Sequence, residues 1–256
     1  MKTNLFDLTG KVAVVTGSSR GIGRAIAEAL AFHGAKVVVS SRKAEACRPV
    51  VDAIKADGGD ATAIACHIGK RADCETLVAE TRRVYGKIDV LVCNAAVNPY
   101  FGPMSGLSDD AFAKVMDTNV RSNLWLCNLV APEMAERKDG SLIIVSSIGG
   151  LKGTDMLGIY AISKAADMQL ARNLAVEWGK HNIRANCVAP GLVRTEFAKA
   201  LWENPDLLAK TERATPLRRI GEIEDLAGAA VYLASRAGAW TTGQTIVVDG
   251  GVTIAS

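Results

Sequence analysis

Tyr160 and Lys164 stand four residues apart in Tyr160-Ala161-Ile162-Ser163-Lys164, at the start of a segment with helical spacing. On a helix such residues share one face, a turn apart. The chemistry open to them is proton transfer. A free phenol ionises at about pH 10, and each tenfold change in that equilibrium corresponds to about 1.4 kcal/mol. An ammonium about 5 Å away, at an effective dielectric of about 20, supplies roughly 3 kcal/mol. That moves the phenol toward the range in which it exchanges protons with a substrate. The spacing alone favours a core tyrosine and a surface lysine, because the pattern is common by chance, so the surrounding elements must decide.

Upstream, Lys11-Val12-Ala13-Val14-Val15-Thr16 is a short β-branched run suited to a strand buried on both faces. It runs into Gly17-Ser18-Ser19-Arg20-Gly21-Ile22-Gly23, then a helical segment over 24–32 closed by Gly34, then a second strand over 36–40. Strand, glycine-rich turn, helix and strand in this order form a dinucleotide-binding unit. The glycines let the backbone turn and approach a pyrophosphate, and the helix N-terminus offers free N–H groups. The second strand ends in Ser41-Arg42-Lys43 with no acid to meet a ribose hydroxyl. Arg42 can bind a 2′-phosphate with its guanidinium fork, and Arg20 can add a second charge, which predicts NADP(H) as cofactor.

The alternation continues. Helices are predicted over 44–57, 71–85, 160–180 and 224–235, with two more within 110–137 and Asn119 near their junction. Strands are predicted over 61–66, 88–93, 141–147, 183–189 and 244–249. Residues 98–106 read as a loop at the mouth of a cleft, carrying Tyr100 and Phe101. The prediction is an α/β fold: one domain over residues 1–256, with a doubly wound, seven-stranded parallel sheet, helices on both faces and right-handed crossovers. Neither a repeat nor a linker interrupts it.

Composition narrows the function. A chain of 256 residues can bury a sizeable core, and 49% hydrophobic with 22% charged residues is a globular balance. A formal charge of +3 gives no basis for a nucleic-acid or membrane-surface partner. The start of the chain carries no apolar run of signal-peptide length, and no stretch reaches a membrane span. Six cysteines without a C-x-x-C pair predict reduced, mostly buried thiols in a reducing compartment, hence a cytoplasmic location. His33, His67 and His181 do not cluster, so no metal site is expected.

Thr16-Gly17-Ser18-Ser19-Arg20-Gly21-Ile22-Gly23, Asn94-Ala95-Ala96, Asn119, Ser147, Tyr160-x-x-x-Lys164, and Pro190-Gly191 followed by Thr195 occur in one order along the chain. By these motifs the chain resembles the short-chain dehydrogenase/reductase family over nearly its whole length. Cys66-His67-Ile68-Gly69, Asn94-Ala95-Ala96-Val97-Asn98-Pro99 and Ala189-Pro190-Gly191-Leu192 are similar, more narrowly, to its NADPH-dependent carbonyl and retinal reductases of peroxisomes. The resemblance implies a Rossmann fold and a catalytic set. Tyr160 would be the general acid, Lys164 would make the phenol acidic and hold the nicotinamide ribose, Ser147 would orient the carbonyl oxygen, and Asn119 would hold a water leading from Lys164 to solvent. Ser146 is the competing strand-end hydroxyl; the spacing of Ser147 to Tyr160 matches the family. Implied cofactor contacts are Gly17, Ser19, Arg20, Gly21, Ile22, Gly23, Ser41, Arg42, His67, Ile68, Asn94, Ala95, Tyr160, Lys164, Pro190, Val193 and Thr195. A homotetramer is implied by the same analogy.

The chain departs from the family in three places. His67 stands where many members carry Asp for the adenine amino group. Ala96 replaces a glycine and brings a methyl near the cofactor. The ending Thr253-Ile254-Ala255-Ser256 lacks a Ser-Lys-Leu address, so a peroxisomal location is not carried over. The substrate pocket is expected from 97–104, 148–157 and 192–202, mostly apolar, under a lid over about 192–215. The implied activity is reduction of an apolar or aromatic ketone, aldehyde or dicarbonyl. A 3-oxoacyl-carrier-protein reductase and a weakly active NADP-binding sensor or scaffold are the alternatives.

Overall fold

Short runs rich in valine, isoleucine and alanine form seven strands: β1 (Val12–Thr16), β2 (Lys36–Ser41), β3 (Asp60–Ala65), β4 (Val90–Cys93), β5 (Gly140–Val145), β6 (Ile183–Pro190) and β7 (Thr245–Val248). All pair in parallel, in the order β3-β2-β1-β4-β5-β6-β7. Every residue of β1, β4 and β5 is buried. Helices must therefore cover both faces of the sheet, which is why these strands read as unbroken apolar runs. The structure, a computed structural model, describes residues 4–255. Residues 1–3 and 256, on which the readings of the chain's start and ending partly rest, lie outside the described residues.

The helices are α1 (Gly21–Phe32), α2 (Arg48–Ala56), α3 (Arg71–Tyr85), α4 (Asp109–Met116), α5 (Ser122–Arg137), α6 (Gly158–Trp178), α7 (Lys199–Trp202), α8 (Pro205–Ala214) and α9 (Glu224–Ala234). Ile26 and Leu30 of α1 pack with Leu226 and Leu233 of α9 against Val15 and Ile143 on one side of the sheet. Leu77 of α3, Leu126 and Met134 of α5 and Leu174 of α6 pack against Leu91 and Leu142 on the other. Each such fully buried leucine or isoleucine contributes about 1.5–3 kcal/mol.

Three local departures have physical causes. The segment expected as one helix over 44–57 splits into a 3-10 turn, Ala44–Cys47, and α2, because Pro49 has no N–H to continue the first turn's ladder. The junction of α4 and α5 is a π-helical turn, Asp117–Arg121, which inserts an extra residue without breaking the helix. Asn119 sits inside it. The irregular stretch after β6 carries α7 and α8, the latter capped by Asn204, whose Oδ1 accepts the N–H groups of Asp206 (3.0 Å) and Leu207 (3.1 Å).

Among the described residues no helix is long and apolar enough to cross a membrane, and no three potential metal ligands gather. The six cysteines are unpaired and buried.

Candidate active site

From β1 the chain winds outward to β3 on one side; with β4 it begins again on the other. Ligands of open α/β sheets bind at that reversal, beyond the carboxyl ends of the strands. The glycine turn lies there. Gly17 and Gly21 have φ of +64° and +60°, which a side chain would strain. A Cβ on Gly23 would stand 2.4 Å from Asn94 Nδ2 and 2.6 Å from the Gly17 carbonyl oxygen. Ser18 locks the turn from below: its hydroxyl donates to Val15 O (2.6 Å) and accepts the Ser40 N–H (2.9 Å). Ser19 is half-buried, and Ile22 leans on the core. Arg20 occupies the N-cap in extended conformation with no side-chain cap, and no acid lies in the first turn of α1. The free N–H groups there fit an anion such as a pyrophosphate.

Arg20, Arg42 and Lys43 are exposed, and none forms an ion pair among the described residues. Ser41 turns its hydroxyl to Lys43 O (2.9 Å), closing the end of β2. His67 accepts the Gly69 N–H on Nδ1 (3.2 Å), and its backbone N–H donates to Asp73 Oδ2 (3.0 Å). The Ile68 side chain is buried in the core, so only its backbone remains for a ligand.

Asn94 braces the turn rather than facing an open groove. Its Nδ2 donates to Thr16 O (2.9 Å) and Gly17 O (3.1 Å), while Thr16 Oγ1 accepts the N–H groups of Asn94 (3.0 Å) and Ala95 (3.2 Å). Beyond β6, Val193 is buried and bridges Gly221, and Thr195 caps a short turn by accepting the Ala198 N–H (3.3 Å). Thr195 Cγ2 lies 3.6 Å from where a Cβ on Gly21 would be. The segment after buried Pro190 thus meets the glycine turn.

The two strand-end hydroxyls divide their work. Ser146 is buried, and its hydroxyl donates to Lys164 O (2.7 Å). Ser147 is half-buried and accepts the Gly149 N–H (3.0 Å), which leaves its proton free to donate. On α6 the half-buried Tyr160 has a hydroxyl with no hydrogen-bond partner among the described residues. Its ring lies 6.0 Å from that of Phe197, on the segment leading to α7, and 5.7 Å from Lys164 Nζ. Asn119 is fully buried as a clamp: Oδ1 accepts the Val97 N–H (2.9 Å), and Nδ2 donates to Val97 O (3.0 Å) and Ser163 Oγ (3.1 Å).

Lys164 departs from the picture of a bare charge. It is 2% exposed, and Nζ donates to Val145 O (2.8 Å) and Asp167 Oδ2 (3.1 Å). Burial opposes its charge, yet the Asp167 carboxylate and the Tyr160 phenol hold it above the usual ammonium value. Burial pushes the Asp167 carboxyl up, against the pull of the ammonium and of the Asn123 amide.

A cavity of about 260 Å³ opens along the segment that follows Ser147, lined by Ile148, Leu192 and Val252 but also by Lys152, Lys210 and Asp249; Asn119, Ser147, Tyr160 and Lys164 do not line it. The sequence predicts a mostly apolar pocket from 97–104, 148–157 and 192–202; this cavity, mostly apolar in surface, takes Ile148, Lys152 and Leu192 from those segments and also reaches α8 and the segment after β7. Tyr100 folds back on its own loop, its hydroxyl donating to Pro103 O (2.7 Å). Trp202 Nε1 donates to Thr195 O (2.8 Å) and so anchors α7 instead of lining the opening.

A family model described as "Enoyl-(Acyl carrier protein) reductase" matches residues 17–253. Dehydrogenase/reductase SDR family member 4 from Bos taurus is 43% identical over 244 residues, covering 95% of this chain and 88% of that protein. The chain belongs to the short-chain dehydrogenase/reductase family. It is thus an oxidoreductase of that family. The Homo sapiens member 4 is 42% identical over the same length. A gluconate 5-dehydrogenase from Burkholderia cenocepacia, solved with NADP and tartrate, superposes with a TM-score of 0.94 at 31% identity, covering 98% of each chain. A 7α-hydroxysteroid dehydrogenase, solved with NADH and 7-oxo glycochenodeoxycholic acid, gives 0.93 at 37% identity over 96% of each chain.

In this short-chain dehydrogenase/reductase the residues that sequence reasoning missed are Asp167 and Asn123. The signal was present: Asp167 follows Lys164 by three and Tyr160 by seven, on one helical face. Gly23→Ala is expected to weaken dinucleotide binding at least about tenfold, because the methyl must displace either Asn94 or the Gly17 carbonyl. Quenching of protein fluorescence by the dinucleotide measures it; unchanged affinity would show that the turn does not govern binding.

Proposed function

We propose that the protein is an NADPH-dependent reductase that converts the carbonyl of an apolar or aromatic ketone, aldehyde or dicarbonyl to an alcohol, reversibly. The observation that carries this reading is a pair of uncommitted hydroxyl protons, on Tyr160 of α6 and on Ser147 after β5, with a buried ammonium at the carboxyl end of β5. Glycine turn, open α1 N-terminus and the Gly21–Thr195 approach fit a dinucleotide, with Arg42, Lys43 and Arg20 suited to a 2′-phosphate. When bound, NADPH supplies the hydride to the carbonyl carbon. Ser147 donates to the carbonyl oxygen and orients it. Tyr160 gives that oxygen its proton, and the phenolate left behind faces the Lys164 charge. Asn119 holds the 97 loop against α6, keeping one wall of the site in register. Phe197, exposed on its outer side, shields the phenol from the side of the lid.

The names of the relatives, dehydrogenase/reductase among them, support a redox reaction. A homotetramer is proposed by family analogy. The test is NADPH oxidation followed by absorbance over a panel of diketones and aryl ketones, with acetoacetyl thioester as a separate arm. Turnover of diketones or aryl ketones supports the reading. Faster turnover of the thioester would move it to a 3-oxoacyl reductase, and no turnover on any arm would leave a dinucleotide-binding protein.

A further inference from the structure

Lys164 and Asp167 form the one ion pair among the described residues in which both side chains are essentially sealed from solvent, 3% and 0% exposed. We propose that Asp167 is a positioning residue for the reaction: through a direct ion pair it fixes the Lys164 ammonium beside Tyr160. The proposal rests on the reductase reading, in which that ammonium acts on the phenol.

Of the three ammonium hydrogens, Val145 O and Asp167 Oδ2 take two. Nothing else charged reaches Nζ, so Asp167 is its sole counter-charge among the described residues. A lysine this deeply buried without such a partner loses its proton near neutral pH. The partner is itself held. Asn123 on α5 donates from Nδ2 to Asp167 Oδ1 (2.9 Å) and to Asn119 O (2.6 Å). Cys187 on β6 donates its thiol to Asp167 O (3.4 Å). One chain of bonds thus runs from the π turn holding Asn119, through Asn123 and Asp167, to Lys164.

The other ionisable groups facing the cluster do not replace the carboxylate. Burial pushes the Cys187 thiol up, and Cys93 on β4 is pushed up by its hydrogen-bonded neighbour Cys127 on α5 and by burial. Both stay neutral. Arg172, two turns along α6, is exposed. Lys164 Nζ lies 5.7 Å from the centre of the Tyr160 ring, so the ammonium that Asp167 holds stands beside the phenol the reaction uses.

The sign follows. With Asp167 replaced by a neutral residue, burial prevails and Lys164 becomes neutral, so Tyr160 loses its stabilising charge and ionises at higher pH. Alcohol oxidation, which needs the phenolate as base, then rises only at higher pH.

The experiment is an ultraviolet difference titration of the full chain, with the Tyr160→Phe variant as blank so that only the Tyr160 phenol is read. Asp167→Asn is expected to raise its midpoint by about one pH unit or more, and to move the rising limb of the oxidation profile equally. Asn123→Ala, which removes a bond that helps keep the Asp167 carboxylate ionised and in place, is expected to shift the midpoint the same way by less, and it decides the matter if Asp167→Asn does not fold. A purely structural role would lower the melting temperature and leave the midpoint in place. An unmoved or lowered midpoint overturns the proposal. The absorbance titration needs no substrate, so a protein that reduces no carbonyl would sink the reductase reading and still show whether Asp167 governs the phenol.

Discussion

Tyr160→Phe is expected to lower kcat for carbonyl reduction by about 10³-fold while leaving NADPH affinity essentially unchanged. General acid catalysis contributes about 10²–10⁴-fold, and here no neighbouring group can stand in for the phenol. Ser147 can donate a hydrogen bond, but a hydroxyl of ordinary acidity cannot deliver the proton. The binding half of the expectation has its own basis. The Tyr160 hydroxyl has no hydrogen-bond partner among the described residues, so deleting the oxygen orphans nothing. The ring keeps its position against Phe197 and Lys164. Single-turnover absorbance with a responsive ketone, beside a fluorescence titration with NADPH, separates the two quantities. A variant that still turns over at a tenth of the parent rate or better would remove Tyr160 from the acid's role.

The second large effect concerns cofactor choice. Arg42→Asp is expected to weaken NADPH by about 100-fold and to leave NADH within a few-fold of its starting affinity. Hydrogen bonds to a charged group contribute about 1.5–3 kcal/mol, and each 1.4 kcal/mol is tenfold in affinity. The introduced carboxylate also repels a 2′-phosphate while it can accept a ribose hydroxyl. Arg42 is exposed and engaged in no ion pair among the described residues, so its loss should leave the fold intact within about 0.5 kcal/mol. Paired titrations with the two coenzymes measure the ratio. Equal weakening of both would mean that Arg42 does not meet the phosphate and that the preference must come from Arg20 or Lys43.

Both expectations start from residues whose roles are legible in the chain itself. Apolar runs of β-branched residues alternating with helical spacing determined the parallel sheet, because a strand buried on both faces has no other way to satisfy its surroundings. The glycine turn after β1 was equally plain: the positive φ of Gly17 and Gly21 and the approach of Gly23 to the Gly17 carbonyl are local properties that favour glycine there. Tyr160 and Lys164 share a face by helical geometry alone.

What the sequence left open is what packing across elements decided. Ser146 and Ser147 are neighbours of one type, and only the fold of α6 against β5 commits the first to the Lys164 carbonyl and leaves the second free. Asn119 was legible as a site residue, but its clamp on Val97 and Ser163 joins parts of the chain 22 and 44 residues away. The cavity's lysines come from α8 and from the turn after β5, whose meeting no local pattern announces. Asp167 shows the boundary most clearly. Its spacing from Lys164 is written in the sequence, and on an exposed helix such a pair is worth little. Burial between α5, α6 and β6 removes the water that would screen it, and a commonplace i,i+3 pair becomes the sole counter-charge of the site's lysine among the described residues.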